Sequence, residues 1–236
     1  MTQIQTSAHQ RVLFFDQIKA VMIALVVVVH VTLLFLPGGA FMGLSFAGRI
    51  QPGWLTGVDF AIVDLSNTFF MCMLFLISGY FVPRSVAKKG VADYLKGRLR
   101  RLGIPFLFGL LVINNLSYLV SQWFQTGLLR GIPLADYPLN HLGVLWFLVV
   151  LFSFDLLYCG WVKIFGDCFR IDDTIPPPGL FPWLVSAGIL AVIEVLMAMQ
   201  GNFWLKLMNS PLDGLGAQGP HIFTYAFLFF LGCKSA

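Results

Sequence analysis

The sequence predicts an all-α protein, a polytopic bundle of about six transmembrane helices whose N-terminus is cytoplasmic. Of the 236 residues, 58% are apolar and only 11% are charged, against roughly 25% charged in an average soluble domain. So few charges cannot cover a water-soluble globule, which excludes a soluble enzyme, a disordered chain and a fibrous repeat. The apolar residues are gathered in long runs, and most basic residues lie between these runs.

Six apolar runs have the character of membrane spans, because a bilayer core of about 30 Å takes roughly 20 helical residues to cross. They cover residues 20–36, 60–82, 102–122, 142–165, 180–199 and 222–233. The first resembles a secretory signal, but Lys19 at its entrance, His30 inside it and the later runs favour a retained helix. The last is short, so either the Gly-rich stretch before it completes the helix or the chain stops before further helices.

The basic residues predict the orientation. With the N-terminus inside, only Arg49, Arg130 and Lys206 of the fifteen Lys and Arg residues fall in outer segments. The positive-inside rule therefore predicts a cytoplasmic N-terminus, with the first, third and fifth loops outside. Because this rule also explains the net charge of +4, no nucleic-acid partner is expected.

The cysteines indicate neither a metal site nor a disulfide framework. Cys72, Cys159, Cys168 and Cys233 have no C-x-x-C spacing, and the first two lie inside apolar runs. We therefore predict free thiols and no metal cofactor. No P-loop, H-E-x-x-H or G-x-S-x-G motif indicates another chemistry.

His30 is the strongest candidate for a catalytic residue, because an ionisable side chain in hydrocarbon costs about 2.5–3.5 kcal/mol. It follows Lys19 by three helical turns, so both project from one face and His30 lies roughly 16 Å deeper. An imidazole that titrates near neutrality suits proton transfer. The structural alternatives are a hydrogen-bonded bridge between helices for His30 and a snorkelling anchor for Lys19.

Arg98 and Arg101 form a second candidate site just before the third run. Their i, i+3 spacing places both on one helical face, where two guanidinium groups suit phosphate oxygens on the cytosolic side. By composition alone, an anchor pressed against anionic lipid is the commoner explanation. Two more carboxylates in the apolar runs, Asp155 and Glu194, have no spacing that names a partner.

The order of these residues resembles acyltransferase family 3. Lys19, ten intervening residues and His30 are similar to the signature of the family's first helix. The later helices are similar in Phe-Phe at 69–70, Leu-Ile-Ser-Gly-Tyr-Phe at 76–81, Arg98-x-x-Arg101 and Leu-Trp-Phe-Leu at 145–148. The resemblance spans most of the chain, and the combination is specific although each piece alone is weak.

The resemblance implies a multi-pass membrane O-acyltransferase of sugars and envelope glycans, in the lipid bilayer of a bacterial inner membrane. The donor would be acyl-CoA, as acetyl-CoA or succinyl-CoA, bound from the cytosol, and the acceptor a carbohydrate hydroxyl. His30 would be the catalytic base, and Lys19, Arg98 and Arg101 would bind the donor. Because the family has further helices after the position where this chain ends, we expect residues 1–236 to be one domain that lacks its C-terminal part.

Two other functions are compatible with the sequence. One is a small transporter or channel with a proton or solute path centred on His30. The other is an inactive fragment that needs a partner chain to supply the missing helices, and a homo-oligomer is a related possibility. Binding of CoA separates the enzyme from the transporter, since Arg98 and Arg101 have no reason to bind CoA in a transporter.

Overall fold

The structure, a computed structural model, describes residues 2–36, 52–126, 141–166, 179–210 and 212–235. All regular structure in these ranges is helical, which confirms the predicted all-α class. The helices are α1 (Thr2–Leu33), α2 (Gly53–Lys89), α3 (Val91–Phe108), α4 (Asn114–Thr126), α5 (Trp146–Phe165), α6 (Leu180–Ala198), α7 (Gly201–Met208), α8 (Asp213–Gln218) and α9 (Ile222–Lys234).

Five helical segments in the described ranges are long and apolar enough to cross a membrane. They are Asp16–Leu33, Phe69–Lys89, Val91–Phe124, Gly143–Phe165 and Leu180–Ala198. Each corresponds to one of the first five apolar runs of the sequence. The protein is therefore a polytopic integral membrane protein, as predicted.

The sixth apolar run forms α9, which has 13 residues by itself. The Gly-rich stretch before it forms a separate helix, α8, and a 3-10 turn at Gly219–His221, and α9 is not among the five described segments that are long and apolar enough to cross a membrane. Helix α9 runs parallel to α2, because successive contacts advance by one turn on both helices. The ring of Tyr225 stacks on Phe75 at 5.0 Å, and Phe229 lies against Gly79.

Helices α2 and α9 approach each other closely at two glycines. A Cβ on Gly79 would overlap the backbone carbonyl of Phe229, and a Cβ on Gly232 would overlap the carbonyl oxygen of Leu76. Small residues allow this approach in a membrane, where helix association depends on close van der Waals packing. The glycine of the Leu-Ile-Ser-Gly-Tyr-Phe segment therefore has a packing role.

The core lies where α2, α5 and α9 meet. Phe75 of α2 is fully buried. Its ring lies 4.9 Å from Phe147 and 5.4 Å from Phe154, both on α5. The ring of Tyr225, on α9, also stacks against Phe75. This aromatic cluster fixes α5, and with it the polar residues that α5 carries, against the rest of the bundle.

Helices α3 and α4 form one long membrane segment that runs antiparallel to α5. As the residue numbers increase along α3 and α4, those of their partners in and just before α5 decrease. Arg98 contacts Asp155, Gly109 lies against Leu145, and the Asn114 amide donates to the His141 carbonyl. Between them, Gly109–Ile113 is a π-helix. It follows Pro105, which lies inside α3 and lacks the N–H of a regular turn. Irregular turns of this kind are frequent at functional sites.

Candidate functional site

The corner between α2 and α3 positions the candidate arginines. Gly90 has φ 78°, a left-handed conformation that glycine adopts readily and other residues rarely do. Its N–H donates to the Val86 carbonyl at 2.8 Å and closes α2, and α3 begins at the next residue. The sharp turn returns the chain along the bundle, so the first turns of α3 pack beside the end of α2.

Three polar side chains share one face of α3. Tyr94, Arg98 and Arg101 are four and then three residues apart, so they lie in line along the helix. Tyr94 is buried in the core, and Arg101 is exposed. The Arg98 side chain lies between these extremes, with 23% of its surface exposed. The stripe thus leads from the protein interior to an open surface.

Asp155 of α5 is the partner of this stripe. Its side chain is fully buried, and each of its oxygens accepts a hydrogen bond from α3. The Arg98 Nε donates to Oδ2 at 2.6 Å, and the Tyr94 hydroxyl donates to Oδ1 at 2.7 Å. The charge of the buried carboxylate is therefore compensated by Arg98, which is the condition for burying an ion at acceptable cost.

The guanidinium of Arg98 has donors beyond the one that Asp155 uses. Its Nη2 atom is buried and has no hydrogen-bond partner among the residues that the structure describes. A buried donor without an acceptor costs about 1–3 kcal/mol. An oxygen of a bound anion that accepted a hydrogen bond from Nη2 would remove this cost.

His30 lies half-buried in α1, with its Nδ1 atom 2.6 Å from the Val26 carbonyl oxygen. A carbonyl only accepts, so Nδ1 carries the hydrogen of this bond. In the neutral ring, the acceptor lone pair is then on Nε2. This is the tautomer that a general base needs, with a backbone contact that orients the ring.

Lys19 packs at the interface of α1 and α2. Its ammonium nitrogen lies 4.4 Å from the centroid of the Phe81 ring. It also lies 3.9 Å from Asp16, whose side chain is 64% exposed, so that ion pair adds little. The aromatic contact holds Lys19 against α2, which a side chain that only reaches for the headgroups would not require.

The four predicted site residues lie on two helices, His30 and Lys19 on α1 and Arg98 and Arg101 on α3. Helix α2 packs against both α1 and α3, so the two pairs share a neighbour. The structure adds Asp155 and Tyr94, which the sequence did not assign to a site. A single carboxylate in an apolar run indicates that a basic partner lies nearby in the fold. The chain has fifteen Lys and Arg residues, and sequence spacing does not show which of them is the partner.

Two His–carboxylate pairs connect the helices at the opposite end of the bundle. Asp213 accepts from the Gly143 N–H at 2.9 Å and lies 3.5 Å from His141. Glu194 of α6 accepts from the Thr224 hydroxyl at 2.6 Å and lies 3.2 Å from His221. These contacts tie α8 to the start of α5 and α6 to the start of α9.

Metal chemistry has no candidate in the ranges that the structure covers. There, no group of three or more His, Cys, Asp or Glu side chains lies close enough together to hold an ion. Cys72, Cys159 and Cys233 are free thiols, as predicted, and Cys168 lies outside the described residues.

The fold and these residues define a polytopic membrane protein with ionisable groups placed inside its helices. The sequence profile of the acyltransferase domain of family 3 matches residues 12–234, nearly the whole chain. The chain therefore belongs to acyltransferase family 3, which confirms the family that the motifs indicated.

One curated relative gives a more distant similarity. Glucans biosynthesis protein C of Shigella dysenteriae serotype 1 is 27% identical over 160 residues. The aligned part covers 65% of this chain and 39% of the relative, so the match extends over about two fifths of the length of that protein. No solved structure matches the chain.

Proposed function

We propose that the protein is an O-acyltransferase that moves an acetyl or succinyl group from cytosolic acyl-CoA to a carbohydrate hydroxyl. Membership of the acyltransferase family supports acyl transfer as the class of reaction. The observation that carries the residue assignment is the hydrogen bond from His30 to Val26. It sets the tautomer and the orientation of a base inside a membrane-spanning helix.

His30 is the proposed general base. Its Nε2 takes the hydroxyl proton as the acceptor oxygen attacks the thioester carbonyl. A C–O bond forms, the C–S bond breaks, and CoA leaves as a thiolate. The imidazolium then returns the proton to the thiolate, so the products are the acyl ester and free CoA. Val26 supports both steps because its carbonyl keeps the Nδ1 hydrogen in place.

Lys19, Arg98 and Arg101 are the proposed ligands of the donor phosphates. All three lie in the N-terminal halves of the apolar segments Asp16–Leu33 and Val91–Phe124. The positive-inside rule places these halves on the cytoplasmic side, and this orientation is part of the proposal. His30 lies roughly 16 Å from Lys19 along α1. A donor with a long flexible arm between its phosphates and its thioester suits this separation, because the phosphates stay at the inner mouth while the acyl group reaches the base.

The acceptor is proposed to be a glycan that is modified in the envelope, with the protein in the bacterial inner membrane. The name of the Shigella relative refers to glucan biosynthesis, which supports a glucan as the first acceptor to test. The segment Asp16–Leu33 of α1 and the segment Val91–Phe124 of α3 and α4 are both long and apolar enough to cross the bilayer. An acceptor from outside and a donor from inside would therefore approach His30 from opposite ends.

The test uses the purified full chain in detergent micelles. Free CoA is measured with acetyl-CoA or succinyl-CoA, with and without glucan oligosaccharides, and the sugar products are analysed by mass spectrometry. We expect CoA release that depends on the sugar, together with an acyl ester on the product. Absence of both CoA binding and CoA release would contradict the proposal, and solute flux into liposomes that requires His30 would favour the transporter instead.

A further inference from the structure

We infer that Asp155 and Tyr94 are positioning residues of the donor site, which hold the Arg98 guanidinium so that its outer nitrogens face the donor phosphates. The inference rests on the proposed function, since it assumes an anionic donor at Arg98. Its own evidence is the geometry of three side chains from α3 and α5.

Asp155 binds the Arg98 guanidinium at a single nitrogen atom. The contact is made through Nε and Oδ2 at 2.6 Å, on the side of the guanidinium nearest the main chain. A carboxylate bound to the terminal nitrogens, Nη1 and Nη2, would compete with a phosphate for the same hydrogen-bond donors. Binding at Nε instead fixes the plane of the guanidinium and leaves Nη2 without a hydrogen bond to Asp155.

Arg98 retains a hydrogen-bond donor that Asp155 does not use. Among the described residues, no acceptor meets the buried Nη2 of Arg98. Arg101, one turn further along the same face, is exposed. The Arg98 guanidinium is held by Asp155, whereas that of Arg101 is exposed to solvent. Two such groups on one helical face suit a ligand with more than one phosphate, because the planar guanidinium can bind two phosphate oxygens at once.

Tyr94 binds the second carboxylate oxygen of Asp155. Its hydroxyl occupies Oδ1 of Asp155 at 2.7 Å, so the carboxylate is held from both sides. The tyrosine ring is buried in the core beside α5. Tyr94 therefore acts on Arg98 through Asp155, and its hydroxyl contributes orientation without changing the charge of the site.

The experiment measures CoA affinity of the full chain in micelles by calorimetry, with the thermal midpoint of each variant recorded without ligand. For Asp155→Asn, we expect CoA to bind about tenfold more weakly, because the carboxylate that fixes the guanidinium is replaced by a neutral amide that binds it less strongly. For Tyr94→Phe, which keeps the buried ring, we expect about a fivefold loss, because the carboxylate loses one of the two hydrogen bonds that hold it. In turnover, the donor KM should rise by the same factors while kcat stays within about twofold.

Asp213→Asn is the matched control, since Asp213 also joins two segments through its oxygens but lies at the opposite end of the bundle. It should alter the thermal midpoint and leave CoA affinity unchanged. If Asp155 had only a structural role, Asp155→Asn would likewise alter the thermal midpoint and leave CoA affinity unchanged. Unchanged or tighter CoA binding by a folded Asp155→Asn would overturn the inference, and so would unchanged binding by Tyr94→Phe if Asp155→Asn does not fold. If the wild-type chain binds no CoA, the proposed donor is wrong, and the inference fails with it.

Discussion

The ammonium group of Lys19 lies 4.4 Å from the centre of the Phe81 ring, across the interface of α1 and α2. Lys19 begins the motif that ends at His30, and Phe81 ends the Leu-Ile-Ser-Gly-Tyr-Phe segment. Two motifs that are separate in the sequence are thus in contact in the structure. A cation over an aromatic face gains about 0.5–1 kcal/mol at an exposed site, enough to favour one position of a flexible side chain.

Replacement of Lys19 by Gln should raise the donor KM about tenfold, because one charged contact to a phosphate is lost. The kcat with saturating donor should change little, since the proposed base is unaltered. Asp16→Asn is the control: it removes the exposed partner 3.9 Å away and should leave the donor KM within about twofold. A fall in kcat with an unchanged donor KM would show that Lys19 acts elsewhere.

Replacement of His30 by Ala should lower kcat by about 100-fold or more, the usual contribution of a general base. His30→Gln should be equally inactive, because an amide keeps hydrogen-bonding capacity but does not take the hydroxyl proton. Sugar-dependent CoA release measures both variants. His9→Ala, in the same helix, is the control and should retain wild-type turnover. Comparable activity of His30→Ala and the wild type would remove the assignment.

Replacement of Arg98 by Ala should destabilise the protein by about 3 kcal/mol, because the buried Asp155 charge loses its partner. The double variant Arg98→Met, Asp155→Leu should recover most of this loss, since neither charge then remains buried. Unfolding by a denaturing detergent in mixed micelles gives the two free energies. Equal losses in the single and the double variant would show that the helices depend on Arg98 for another reason.

The order of the first five spans could be predicted from the sequence because a run of apolar residues is a local property. The helix ends could not. The second run ended before Pro83, but α2 continues through this proline to Lys89. The third run began at residue 102, but α3 begins at Val91. Hydropathy marks the part of a helix that lies in hydrocarbon, whereas the charged turns beyond it are helical without contributing to the run.

The candidate site likewise has one part that the sequence predicts and one part that only the packed structure shows. The alignment of Lys19 with His30 follows from the geometry of one helix, so spacing alone predicts it. The pairing of Arg98 with Asp155 joins residues 57 positions apart, and it depends on how α3 packs against α5. The sequence therefore identified both charges as unusual, but only the packed structure could pair them and add Tyr94.

Replacement of Gly79 by Ala should disrupt the packing of α9 against α2, because the added Cβ would overlap the backbone of Phe229. A backbone cannot move aside as a side chain does, so we expect a loss of at least the 1–3 kcal/mol typical of overpacking. Gly232→Ala should behave alike, since its Cβ meets the backbone of Leu76. The free energy of unfolding in mixed micelles provides the measurement.

Gly57→Ala is the matched control for this pair of variants. Gly57 lies in the same helix as Gly79, but nothing stands within 4 Å of the position of its Cβ. Because Ala favours a helix over Gly by about 1 kcal/mol, this variant should be as stable as the wild type or more so. If Gly79→Ala matches Gly57→Ala in stability, α9 does not pack against α2 at the distance that the structure shows.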